Sequence, residues 1–313
     1  MSAPVPRPAP LDGALPTPRT SPAAPHGREH RRALGVLMLC TVLWSTAGVG
    51  TRLLERVEGF EVAFWRALFC AACVGVVMAV RGGGAVWRPL VASGPAGLVS
   101  GLMWGTMFTA FMLALTRTSV ANVLVVMAAS PLLAALLGWV VLREPVLART
   151  WSAIAIAGAG IVWMVRDGLS ADGLEGMAIA FAVPVAAAIN IVLLKRTGAR
   201  VDLLPAVGIG ALMCCAVTLP IAWPLSASAH DLTIVALLGV FQLAVPCMLM
   251  VRASRHLAPH EIALLGLLEV VLGPLWAWLG AGERPGAATI QGGALVLAAL
   301  VLNELVGMRA KRA

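Results

Sequence analysis

The sequence predicts an all-α integral membrane protein: ten transmembrane helices in two inverted five-helix repeats. Three observations predict it. Ten separate apolar stretches lie between residues 34 and 306, each close to the roughly 20 residues a helix needs to cross the hydrocarbon core. Hydrophobic residues make up 60% of the chain and charged residues only 12%, far from the balance of a soluble domain. The third observation is an internal repeat at an offset of 139 positions. Lipid offers no partner for a bare amide, so each apolar stretch must close its own hydrogen bonds as a helix.

The elements follow in order. Residues 1–32 carry Pro4, Pro6, Pro8, Pro10, Pro16, Pro18, Pro22 and Pro25. Proline at that density excludes a helix, so a disordered cytoplasmic tail is expected, with extended segments that could dock a partner. About 30 residues precede the first apolar run, too many for a good secretory signal, so that run is expected to stay as an anchor. The first repeat, 33–166, holds spans at 34–53, 60–80, 94–115, 120–142 and 147–165. A short polar link, 167–175, leads to the second repeat, 172–307, with spans at 174–194, 203–223, 232–251, 262–281 and 287–306. Residues 308–313 form a short C-terminal tail.

Charge sets the orientation. With ten spans and a cytoplasmic N-terminus, most of the 23 basic residues fall on the cytoplasmic side. Those residues include Arg28, Arg31 and Arg32 in the tail, then Arg81, Arg143, Lys195, Arg252 and Arg309 beyond it. Arg52, Arg56, Arg117, Arg166 and Arg284 fall on the other side. Positive loops stay cytoplasmic during insertion, which predicts both termini inside and an even span count. The net charge of +8 is therefore read as a topology signal, with no nucleic-acid partner implied.

Several chemistries find no support. The six cysteines all fall inside predicted spans, and Cys70-x-x-Cys73 lacks the soluble context a redox or zinc site needs. His256 and His260 are four apart, but Pro259 interrupts them and no third ligand is evident, so no metal is assigned. No glycine-rich phosphate loop and no nucleophile–base pair are visible, and no cofactor is expected.

The repeat aligns Trp139 with Trp278, Glu144 with Glu283 and Thr150 with Thr289. Five helices per copy is an odd number, so the second copy enters the membrane from the opposite side, an architecture of many secondary transporters. The run Ala128-Ala-Ser-Pro131 followed by Leu142-Arg-Glu-Pro145 resembles the signature of EamA-type transporters of the drug/metabolite transporter superfamily. The run Leu267-Leu-Glu-Val270 followed by Ala281-Gly-Glu-Arg284 looks like its second copy. Trp44-Ser-Thr-Ala and Phe64-Trp-Arg66 are similar to the family's first-half pattern. The sequence departs from the family in placing Val270 after Glu269 where proline is common, and in having no tyrosine. The resemblance implies ten helices in inverted repeats in a bacterial inner membrane. It also implies that the chain exports or imports small metabolites such as amino acids and drugs.

Candidate site residues are the polar groups inside spans. Glu269 lies about 12 Å deep at about 1.5 Å per residue. A carboxyl there should face a cavity or hold a proton, so it could carry protons or bind a substrate amine. Arg66 could snorkel, pair structurally, or clamp a substrate carboxylate with two parallel hydrogen bonds. Asn122, Ser130, Asn190, Gln242 and Gln291 default to interhelical hydrogen bonds, and some could line a pathway. Trp44 and Trp104 lie deeper than an interfacial belt and could pack in the core or stack on a substrate. Pro131, Pro184, Pro246 and Pro274 are hinge candidates that would let the repeats rock around a central site. Gly97, Gly101 and Gly105 present a small-residue face for close approach, within the monomer or in a homodimer. A membrane-embedded enzyme and a channel are the alternatives. The first would want clustered acid–base residues near one membrane face and the second a ring of pore-lining polar groups.

Overall fold

The computed structural model describes residues 27–81, 91, 94–143, 146–166, 171–197, 203–253, 256–257 and 259–312. Among them every regular element is helical: α1 (Gly27–Ser45), α2 (Ala47–Arg52), α3 (Gly59–Arg81), α4 (Gly94–Arg117), α5 (Val120–Ala128), α6 (Ser130–Leu142) and α7 (Ala148–Arg166). The second half holds α8 (Ala171–Thr197), α9 (Leu203–Ala222), α10 (Ala229–Leu237), a π-helical turn (Leu238–Ala244), α11 (Val245–Ala253), α12 (Pro259–Ala281) and α13 (Ala287–Arg312). Among the described residues seven stretches are long and apolar enough to cross a membrane, including Glu29–Arg52, Val120–Leu142 and Ala229–Met250; the apolar parts of α12 and α13 are shorter, Leu265–Ala281 and Ala287–Asn303. The chain is a multi-pass integral membrane protein.

Three of the expected spans are interrupted, each for a local reason. In the first, the hydroxyls of Ser45 and Thr46 donate to the carbonyls of Val42 and Leu43, both at 2.7 Å, and compete with the helical ladder. In the fourth, Pro131 has no N–H for the Met127 carbonyl; the Ser130 hydroxyl donates to that carbonyl instead, and the helix breaks at Ala129. In the eighth, Pro246 cannot bond back to residue 242, and the ladder widens into the π turn just before it.

The ends of the helices also differ from expectation. α1 begins at Gly27, so the last residues of the expected tail are helical; Pro25 is its last proline, and nothing after it breaks a helix. α13 continues through Arg312, so the expected C-terminal tail is helical too, and α8 begins within the expected link. His260 lies in the first turn of α12, because Pro259 occupies the helix's first position, where a missing N–H costs nothing. Glu144, Pro145 and most of the first tail lie outside the described residues.

Packing follows size. α4 lies along α8 and α9, α3 along α9, and α7 along α13; α1 lies along α11 and α12. The small-residue face of α4 meets α9 within the monomer. A Cβ on Gly210 would sit 2.5 Å from the Trp104 Cβ and 2.9 Å from the Gly101 carbonyl, so only glycine allows this approach. One core cluster runs through most of the molecule, from Val62 and Phe111 to Val207 and Leu300. A second, smaller one joins Leu37 and Cys40 to Ala253 and Leu257.

Candidate functional site

Two helix irregularities build the site. The break at Ala129 bends the chain between α5 and α6, and α12 crosses opposite it. Between them lies a cavity of about 210 Å³ lined by Leu124, Met127, Ser130, Pro131, Leu267 and Glu269, among others. Glu269 supplies its one ionisable group and Ser130 a hydroxyl; the rest of the wall is apolar or backbone. Ser130 and Glu269 are 139 positions apart, the offset of the sequence repeat, so equivalent positions of the two copies face one space. Pro131 forms part of the wall, and Pro274 lies within α12 on the far side of Glu269 from the cavity's Gly266.

Arg66 does not line this cavity. It is 3% exposed, and its Nε and Nη2 both donate to Gln242 Oε1, at 3.0 and 2.7 Å. Gln242 Nε2 donates in turn to the Trp44 carbonyl at 3.1 Å, beside the break in the first span. The guanidinium sits 5.7 Å from the centre of the Phe111 ring. Among the described residues no carboxylate comes within ion-pair distance of it. The π turn is what lets Gln242 reach: a Cβ on Gly239, in the same turn, would meet the Arg66 carbonyl at 2.6 Å.

The other expected residues are distributed as ties between helices. Asn122 Nδ2 donates to Thr118 Oγ1 at 3.1 Å, and its Oδ1 accepts from Thr289 at 2.8 Å, joining α5 to α13. Asn190 accepts from Ser100 at 2.7 Å, joining α8 to α4. Gln291 accepts from Trp163 Nε1 at 2.9 Å on the molecule's surface. Trp104 lies 5.5 Å from Phe108, ring to ring, and its Nε1 is buried with no hydrogen-bond partner. Trp44 packs at the edge of both core clusters. Pro184 lies inside α8 and Pro246 in α11, where the Pro246 carbonyl accepts from the Cys40 thiol. Among the described residues no cluster is fit to hold a metal ion.

Two acidic residues at one end of the molecule, Glu61 and Asp231, escaped the sequence reading. Glu61 accepts from the amides of Ser226 and Ala227, from the Ser226 hydroxyl and from Trp65 Nε1. Asp231, wholly buried, accepts from the amides of Glu55 and Arg56 and closes a capping box with Ser228. The Ser228-x-x-Asp231 spacing was the available signal. At the same end Arg52 and Glu283 form an ion pair at 2.7 Å, and Glu283 is the glutamate of the duplicated Trp-x4-Glu pattern.

Apolar helices thus surround a small, partly open cavity whose wall carries one carboxyl. The EamA-like transporter family profile matches residues 31–166 and again 174–305, and the chain belongs to that family of drug/metabolite-type membrane transporters. Twenty-two chains of solved structures also match, and one crystal structure, described only as that of a protein, aligns with a TM-score of 0.62 at 19% identity. That alignment covers 90% of this chain and 99% of the other, and it bears on the fold alone. No curated protein matches.

Proposed function

We propose that the chain is a secondary transporter of ten spans in two inverted five-helix repeats, 33–166 and 172–307. It exports a small organic metabolite, such as an amino acid or drug, in exchange for protons. Two observations favour ten spans. α7, α12 and α13, with 19, 23 and 26 residues, are long enough to join the seven apolar stretches as spans. The pairing between helices is also reciprocal when the halves are exchanged: α4 with α8 answers the π turn and α11 with α1, and α6 with α8 answers α12 with α1. Both chain ends then lie on the cytoplasmic face of a bacterial inner membrane.

The single observation that carries the transport reading is the shared cavity, into which the two copies bring Ser130 and Glu269. A carboxyl in an apolar wall can take and give up a proton, and can bind a substrate amine in the same place. Pro131, Pro184, Pro246 and Pro274 supply the bends around which the repeats rock. Purified protein in proteoliposomes, screened against amino acids and organic cations with and without a pH gradient, tests the reading. Saturable uptake that the gradient drives is expected. Ohmic current, or product formed without flux, would contradict it.

A further inference from the structure

We infer that Arg52, Glu283 and the Val120 amide form the latch of a gate, and that this conformation is closed at the latch end and open toward the other. The inference rests on the alternating-access reading above. The latch end is where α2 finishes, α5 starts and α12 finishes. Arg52 Nε donates to Glu283 Oε2 at 2.7 Å; its Nη1 and Nη2 donate to the carbonyls of Leu115 and Thr118. Glu283 Oε1 accepts from the Val120 amide at 2.7 Å, capping α5. One ion pair thus ties the first span, the α4–α5 turn and the α12–α13 turn. Gly282 sets Glu283 in place: at φ 70° it ends α12 with the Gly282 amide on Trp278 and the Glu283 amide on Ala277.

Behind the latch, glycines bring the same helices into contact. A Cβ on Gly48 would lie 2.5 Å from Val120, on Gly50 2.7 Å from Leu238, and on Gly280 2.5 Å from Val49; Gly273 is filled by Leu124. The far half of the fourth span is different. In α5 almost every residue is buried, whereas in α6 only Leu132 and Gly138 are. α12 packs on α5, and the Glu269 cavity lies where α6 parts from it. Both members of the ion pair keep partial solvent contact, at 27% and 19% side-chain exposure, so water can replace the bond when the gate opens.

Cysteine accessibility tests this on the purified full-length protein, with its six native cysteines replaced. Ser45, 2% exposed, lies behind the latch, and Leu267 lines the cavity. With single cysteines at these positions, Glu283→Gln or Arg52→Gln should raise maleimide labelling at 45 roughly tenfold and lower it at 267, the reciprocal shift of one two-state element. A parallel rise at both positions would mean general loosening and would overturn the gate, as would no change. Because no solute is added, this arm reads the gate even where transport itself is not found. The Gly280 Cβ position is 3.8 Å from Val49 Cβ, within disulfide range. Val49→Cys with Gly280→Cys should therefore cross-link on oxidation, stop flux and recover it on reduction; full flux through the cross-linked protein overturns the proposal. Hydrogen exchange with native cysteines retained gives a second reading. Glu283→Gln should speed exchange in residues 118–124 and slow it in 262–270, and unchanged exchange in 118–124 would count against the latch.

Discussion

At the scale of single residues, Arg66 shows what burial requires. A guanidinium at this depth keeps its charge, and one neutral amide, Gln242, takes two of its N–H groups. Removing that amide leaves the buried guanidinium without its hydrogen-bond acceptor, a loss of about 1.5–3 kcal/mol for hydrogen bonds to a charged group. Gln242→Leu is therefore expected to lower the thermal unfolding temperature in detergent far more than Gln291→Leu, whose partner is exposed Trp163. The sequence singled out Arg66 and Gln242 separately, as polar groups in apolar runs. It could not pair them, because residues 66 and 242 meet only through a π turn that no local pattern announces. Glu269 and Ser130 were more legible: each is a polar group in a span, and the repeat offset relates them. Glu61 and Asp231 were not, because at span ends they read as ordinary flanking charges; only the fold brings the amides of Ser226 and Glu55 to them.

At the scale of elements, the places where helices give way carry the account. Pro131→Ala would return an N–H to the Met127 carbonyl and free the Ser130 hydroxyl, so α5 and α6 could join. The expected outcome is higher thermal stability by roughly 1 kcal/mol, from the added hydrogen bond, with transport slowed. Thermal unfolding and initial flux rates, measured on the same preparation, check both halves. Close packing gives the opposite case. Gly210→Leu drives a side chain into Trp104 and the α4 backbone, and overpacking costs about 1–3 kcal/mol or more. Lower yield and a reduced unfolding temperature are expected, whereas Gly35→Leu, with open space around its Cβ, should be neutral. Hydropathy located the helices well, since lipid enforces helical backbone wherever the run is apolar. It did not locate their breaks: the hinge candidates Pro131 and Pro246 marked two of them, while the break after Ser45 depends on the hydroxyls of Ser45 and Thr46. It also began α1 late and stopped α13 early, because their polar ends are helical beyond the apolar run.

At the scale of the whole molecule, two tandem copies of one unit meet around a cavity that neither could enclose alone. The tandem was legible as a repeated Trp-x4-Glu-x5-Thr pattern, and the family profile matches twice over the same two regions. If the copies are inverted, reporters fused after residue 313 and before residue 1 should both be cytoplasmic, and a reporter in the turn after Ala281 periplasmic. Ends on opposite faces would contradict an even span count. The most direct measurement for the transport mechanism is solute flux in proteoliposomes carrying Glu269→Gln beside the unaltered protein. The account predicts that the variant still exchanges labelled for unlabelled solute but no longer accumulates it against a gradient when a pH difference is imposed. Undiminished pH-driven accumulation by Glu269→Gln would contradict it.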